Sequence, residues 1–333
     1  MKIIMSTLDK KLMVTLGGLP QKIHILTNDK TRPVLLFLHG GPGITNRHSV
    51  IKNHADLLDT FTIVAWDQRG TGGSYWGTKR ETLTVRQLTD DAAELVEWLC
   101  KFFSKDKIFI IGGSWGSELG TRLAYRYPEK IAAYVGFGQV ADGSKNETIS
   151  YQFSIKAARD ASDSEAVKVL EELGPPENGV YKGGFNGLMV QRKIMMKYGG
   201  YSPDKKRRGM FDTFVKPVLF SGEYSLGDII GLVKGYKFVL KAMWDESAAV
   251  NLASACPRFE MPYFIFDGRL DNNTPAELVE EYFAAIEAPR KELIWFEKSG
   301  HNPMSDEPVL FKNTLKAKLT EVARDEQKKG VVV

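Results

Sequence analysis

Unbroken apolar runs, rather than alternating ones, mark the strands of this chain. Pro33 to Leu38, Phe61 to Trp66, Ile108 to Ile111 and Ile131 to Phe137 each read as a strand buried on both faces. Between them, Thr84 to Phe103 carries Leu88, Ala92, Leu95, Leu99 and Phe102 on one helical stripe. Ser117 to Tyr127 repeats apolar residues at Leu119, Leu123 and Tyr127 until Pro128 stops it. Upstream, Met13 to Leu16 and Lys22 to Leu26 are short strands joined by Gly17-Gly18-Leu19-Pro20, an antiparallel start to the sheet. Strands alternating with helices predict an α/β fold, a mostly parallel central sheet with helices on both faces.

The alternation stops near Asp142 and resumes at Pro262 to Phe266, followed by a helix at Pro275 to Ala285, a strand at Glu292 to Phe296 and a helix at Glu307 to Arg324. The intervening stretch shows helical periodicity only, at Ile149 to Leu173, Leu188 to Tyr198, Met210 to Phe220 and Leu226 to Leu252. Residues 1–141 and 256–333 are therefore expected to form the core, with 142–255 inserted as a helical cap over the C-terminal edge of the sheet. That edge is where open α/β sheets bind ligands. Val331 to Val333 is expected to fray.

Composition narrows the partners. The chain has 333 residues, 43% hydrophobic and 26% charged, and a net charge of +4 that does not point to nucleic acid. Its tight basic run, Lys205-Lys206-Arg207-Arg208, sits among glycines and reads as a solvated loop. The two cysteines, Cys100 and Cys256, have no metal-type spacing, which favours a reduced, cytoplasmic protein. The first residues lack a signal peptide's long apolar core, and no apolar run approaches the ~20 residues of a membrane span.

The candidate chemistry centres on Lys107 to Pro128, where Gly112-Gly113-Ser114-Trp115-Gly116 lies between a strand and a helix. A G-x-S-x-G turn in that setting is a nucleophile elbow, which exposes the serine hydroxyl at the sheet edge. A serine needs a base to take its proton and an acid to orient the base. On such an elbow the acid and the histidine follow the serine in that order. Of five histidines, His24, His39, His48 and His54 precede Ser114; His301 follows it, in a loop after the last strand. The acid is expected after Phe266, where Asp271 reaches further than Asp267, which reads as part of the turn before Gly268. The oxyanion is expected to meet the Trp115 N–H and an N–H from His39-Gly40-Gly41-Pro42-Gly43, with Gly41 favoured over Gly40. His39 is expected to hold its loop rather than transfer protons. Asp67 to Ser74, with Arg69, is expected to brace the elbow and the oxyanion loop.

His39-Gly-Gly-Pro-Gly43, Trp66-Asp-Gln-Arg-Gly-Thr-Gly-Gly-Ser74, Gly112-Gly-Ser-Trp-Gly116, Gly268-Arg-x-Asp271 and Gly300-His301 together resemble the proline iminopeptidase branch of the α/β-hydrolase fold. The resemblance covers Val34 to about Val140 and Pro262 to the end. It implies a serine hydrolase with a helical cap, no metal and no organic cofactor, releasing N-terminal residues, often proline, from small peptides. Esterases and amidases of the same shape are the alternative. In peptidase members cap glutamates bind the substrate's free ammonium, one often beside a tryptophan; Trp244-Asp245-Glu246 is the similar segment here, which makes Asp245 and Glu246 the expected amine ligands. The expected substrate is a small molecule or short peptide, without nucleic acid or membrane as partner.

Overall fold

The computed structural model describes residues 7–53 and 55–333, so His54 lies outside the described residues. Eight strands form one sheet: β1 (Leu8–Leu16), β2 (Leu19–Thr27), β3 (Val34–Leu38), β4 (Thr62–Trp66), β5 (Ile108–Gly113), β6 (Ile131–Phe137), β7 (Tyr263–Gly268) and β8 (Lys291–Phe296). Their spatial order is β1-β2-β4-β3-β5-β6-β7-β8. β1 and β2 form an antiparallel hairpin, β2 meets β4 antiparallel, and every later neighbour pair is parallel. β3 to β7 are buried along their whole length, which is why their sequences do not alternate. β8, at the sheet edge, is only half-buried until Phe296.

Each face of the sheet has its own core. On one, Leu36, Val64 and Ile110 pack against Leu88, Leu95 and Leu99 of the helix Val85–Phe103 and against Leu119 and Leu123 of the helix Trp115–Arg126. On the other, Leu35, Ile63 and Phe109 share a cluster with Phe311, Leu315 and Leu319 of the helix Pro308–Lys328. The C-terminal tail is docked rather than frayed. Asp106 N–H donates to the Val332 carbonyl at 2.8 Å, and Val332 N–H donates to Asp106 Oδ2 at 2.8 Å. Val333 is buried. Periodicity could not reveal this, because the partner of Val332 is supplied by a turn more than two hundred residues away in the chain.

Between β6 and β7 the chain leaves the sheet on a helical excursion, closed at its base where Gly143 N–H donates to Val250 O and Leu252 N–H donates to Ala141 O, both at 2.8 Å. Its long helices are Gly143–Asp160, Ser164–Leu173, Phe185–Lys197 and Leu226–Ala248. The run Ile149 to Leu173, which reads as one helix, is two. Asp163 caps the second by accepting from Ala166 N–H at 3.0 Å, an N-cap that a continuous helix has no use for. Ion pairs tie the excursion to the sheet. Asp228 accepts from Lys22 Nζ at 2.7 Å and from Arg47 Nη2 at 2.9 Å, and Glu223 lies 2.8 Å from His24 Nδ1. No helix among the described residues is long and apolar enough to cross a membrane.

Candidate active site

Ser114 sits between β5 and the helix Trp115–Arg126 with φ 55° and ψ −127°, a conformation that few residues other than glycine adopt. The surroundings over-determine it. Ser114 N–H donates to Phe137 O at 3.0 Å, and its carbonyl accepts from Ser117 N–H at 2.7 Å. A Cβ on Gly112 would lie 2.1 Å from the Gly116 carbonyl oxygen, and one on Gly116 would lie 2.1 Å from that of Leu38. Glycine at these two positions is thus a steric requirement of the close strand–helix approach.

His301 is 3% exposed, and its Nδ1 lies 2.8 Å from Asp271 Oδ2. Four groups converge on Asp271: Oδ1 accepts from the N–H of Asn273 at 2.7 Å and of Thr274 at 3.0 Å, while Oδ2 receives Thr274 Oγ1 at 2.6 Å and the imidazole. This network fixes the carboxylate and, through it, the plane of the ring. Gly138, at φ 51°, makes room for that ring, since a Cβ there would lie 2.8 Å from His301 Cε1. Ser114 and His301 line one cavity of about 350 Å³, with Gly41 and Trp115 also on its wall. Among the described residues no hydrogen bond joins Ser114 Oγ to the imidazole. Asn273 Nδ2 stands 3.2 Å from His301 Nε2.

Asp267 is fully buried, accepts from Gln139 N–H at 3.0 Å and from Gly268 N–H at 2.9 Å, and makes no bond to His301. Burial, reinforced by the nearby Asp271 charge, pushes its carboxyl up to about 7. It ties the end of β7 to the loop after β6.

The loops around the elbow are cross-braced. Gln68 Nε2 donates to the His39 carbonyl at 2.9 Å, while its Oε1 accepts from the Trp115 indole at 3.0 Å, linking the His39–Gly43 loop to the elbow. The His39 ring lies 2.9 Å from Gly40 O and accepts from Gln68 N–H at 3.1 Å; burial pushes its pKa down to about 4, so it stays neutral. Arg69 forms a two-pronged bond to Asp91 at 2.7 and 2.9 Å and holds the Leu16 and Gly17 carbonyls. Gly41 has φ 119°, and a Cβ on it would lie 2.6 Å from Gly43 N. Gly41 lines the cavity beside Ser114 and Trp115.

The carboxylates expected as amine ligands are elsewhere. Asp245 and Glu246 are exposed and do not line the cavity; Glu246 Oε2 instead accepts from Val85 N–H at 3.0 Å, at the start of a core helix. Trp244, Ser247 and Ala248 of the same helix do face the cavity. Successive helical residues diverge by about 100°, so the tryptophan turns inward and carries its two neighbours outward.

Two carboxylates line the cavity: Asp212, which is exposed, and Glu147, 2% exposed, on the helix Gly143–Asp160. Its Oε1 pairs with Arg192 Nη2 and accepts from Asn146 Nδ2 at 3.0 Å, while its Oε2 has no hydrogen-bond partner among the described residues. Its sequence signal, a glutamate in a helix of low amphipathicity, is that of any solvated position. Among the described residues no three His, Cys, Asp or Glu side chains gather as a metal site.

A family model described as alpha/beta hydrolase fold matches residues 33–159. The chain is 31% identical over 310 residues to "Probable aminopeptidase YbaC" of Bacillus subtilis (strain 168), covering 91% of this chain and 93% of that protein. It is 25% identical over 238 residues to a proline iminopeptidase of Thermoplasma volcanium, covering 66% of this chain and 75% of the other. In fold it is similar to the proline iminopeptidase of Mycobacterium smegmatis, with a TM-score of 0.63 at 14% identity over 94% of this chain and 98% of that one. A proline iminopeptidase-related protein of Thermus thermophilus superposes with a TM-score of 0.65 at 16% identity, over 95% and 98% of the two chains. With the elbow, the sheet order and a relative matched along nearly its whole length, the chain belongs to the α/β-hydrolase fold family, among hydrolases with proline iminopeptidase-like relatives.

Proposed function

We propose that this hydrolase is a serine aminopeptidase, with residues 142–255 acting as the cap that shapes its substrate pocket. Ser114 attacks the scissile carbonyl. His301 takes its proton at Nε2, and Asp271 holds the ring with Nδ1 protonated and stabilises the imidazolium. The oxyanion of the tetrahedral intermediate is received by the N–H groups of Gly41 and Trp115. His301 then returns the proton to the leaving amine, and water releases the acyl group by the same route in reverse. The observation that carries this reading is the Asp271–His301 pair, 2.8 Å apart, with its imidazole in the same cavity as the elbow serine.

An aminopeptidase is favoured over an esterase or amidase by Glu147. A buried carboxylate with one oxygen unpartnered suits an ammonium taken out of water. The test is a panel of aminoacyl arylamides, their N-blocked forms and short-chain aryl esters, with fluorophosphonate labelling of wild type and Ser114→Ala. Labelling of wild type alone and a strong preference for the free amine are expected. Equal labelling of both proteins would end the serine mechanism. Cleavage confined to blocked amides or esters would move the protein to the second reading.

A further inference from the structure

The pocket around Glu147 is built from two helix faces. On Phe185–Lys197, Leu188, Met189, Met195 and Met196 line the cavity together with Arg192. They lie four and three residues before and three and four after that arginine, which places all of them on one face. On Leu226–Ala248, Tyr236, Leu240 and Trp244 recur every four residues and form the facing wall. The walls touch where the Tyr236 hydroxyl donates to Met189 Sδ at 3.0 Å, and the Arg192 guanidinium lies 6.0 Å from the Trp244 ring. Arg192 holds the other oxygen of Glu147. Glu147, with its Oε2 unpartnered, thus lies beside two helix faces of methionine, leucine and aromatic side chains, with Asn146, Arg192 and Ser247 as polar neighbours on the same cavity wall.

We propose that this slot selects an acyl group bearing a large apolar side chain beside its free amine, of the leucine, methionine or phenylalanine type, in preference to proline. The inference rests on the free-amine reading above. An amine bound at Glu147 lays its α-carbon substituent against the helix that carries Arg192. Unbranched, polarisable methionines adapt to side chains of differing shape. A pyrrolidine ring is folded back onto its own nitrogen and reaches little of this wall, so the water there is not displaced. An acidic side chain would meet the like charge of Glu147.

The experiment is kcat/KM for leucyl, methionyl, phenylalanyl, alanyl, prolyl and glutamyl arylamides, each free and N-blocked, with wild type, Met196→Ala and Met196→Leu. Wild type is expected to favour the large apolar residues over alanine and proline by on the order of 100-fold. Met196→Ala should lower the phenylalanyl-to-alanyl ratio about tenfold, and Met196→Leu, which conserves volume, should restore it. Proline cleaved as fast as leucine, or a ratio unmoved by Met196→Ala in a protein that unfolds at the wild-type denaturant midpoint, would overturn the proposal. If only blocked substrates turn over, the aminopeptidase reading fails, and the same side-chain ranking within the blocked series decides the pocket. Turnover of none overturns both.

Discussion

Replacing Glu147 by glutamine keeps the side chain's length and shape and removes its charge. Oε1 can still accept from Asn146 Nδ2 and Arg192, but the unpartnered Oε2 is replaced by an amide NH₂. With a free-amine substrate, that NH₂ faces an ammonium in a pocket from which water is displaced. Breaking a buried pair by removing one charge costs about 3–5 kcal/mol. At about 1.4 kcal/mol per tenfold, kcat/KM for an aminoacyl arylamide should fall by roughly 10² to 10⁴-fold. The matched N-blocked arylamide carries no charge there and should change by no more than about threefold. Glu147→Gln also leaves Arg192 without its carboxylate, so the fold itself should lose stability, read as a lower urea midpoint. Glu147→Gln combined with Arg192→Met removes both charges. It should recover stability while remaining slow on the free amine, which separates the substrate effect from the structural one. Full arylamide activity in Glu147→Gln, or equal losses on free and blocked substrates, would refute the ammonium site.

Asp271→Asn should lower kcat by up to about 10⁴-fold without unfolding the protein, because His301 then loses the partner that selects its tautomer; Asp267→Asn, which touches only backbone N–H groups, should cost far less, and a reversed order would reassign the acid. Asp245→Asn should leave arylamide kinetics unchanged, and Glu246→Gln should at most lower thermal stability by about 1 kcal/mol through the cap it makes at Val85; a large kcat/KM loss in either would return these residues to the amine site. Burial pushes the Glu118 carboxyl up to about 7, against the Arg122 charge and the Ser247 hydrogen bond that lower it. Its folded pKa exceeds its unfolded one, so the native state holds this proton more tightly and its contribution is lost as pH rises from about 4.5 to about 7. Denaturant titrations should therefore show Glu118→Gln gaining on wild type by about 3 kcal/mol across that window, and a pH-independent difference would refute the assignment.

Much of this molecule was legible along the chain. β3 to β6 have unbroken apolar sequences because both of their faces are covered, and that is visible without coordinates. The elbow was legible because strand, two sterically required glycines and helix are contiguous. The pairing of His301 with Asp271 followed from chain order on such an elbow, and Asp271 was preferred to Asp267 on reach.

What the tertiary structure alone decided are contacts between segments whose spacing carries no signal. Glu147 reads as one more solvated helical position until Arg192, on another helix, takes one of its oxygens and burial at the cavity wall leaves the other unpartnered. Asp245 and Glu246 look well placed beside Trp244, but the rotation of that helix about its axis is set by packing, and inward-facing Trp244 sends both outward. The tail at Val331–Val333 looks free until Asp106 supplies both its carboxylate and its N–H. In each case the sequence determined which groups were present and their local periodicity. Burial and charge pairing at a distance determined which of them could act, because removing a polar group from water is tolerated only where the fold brings a partner to it.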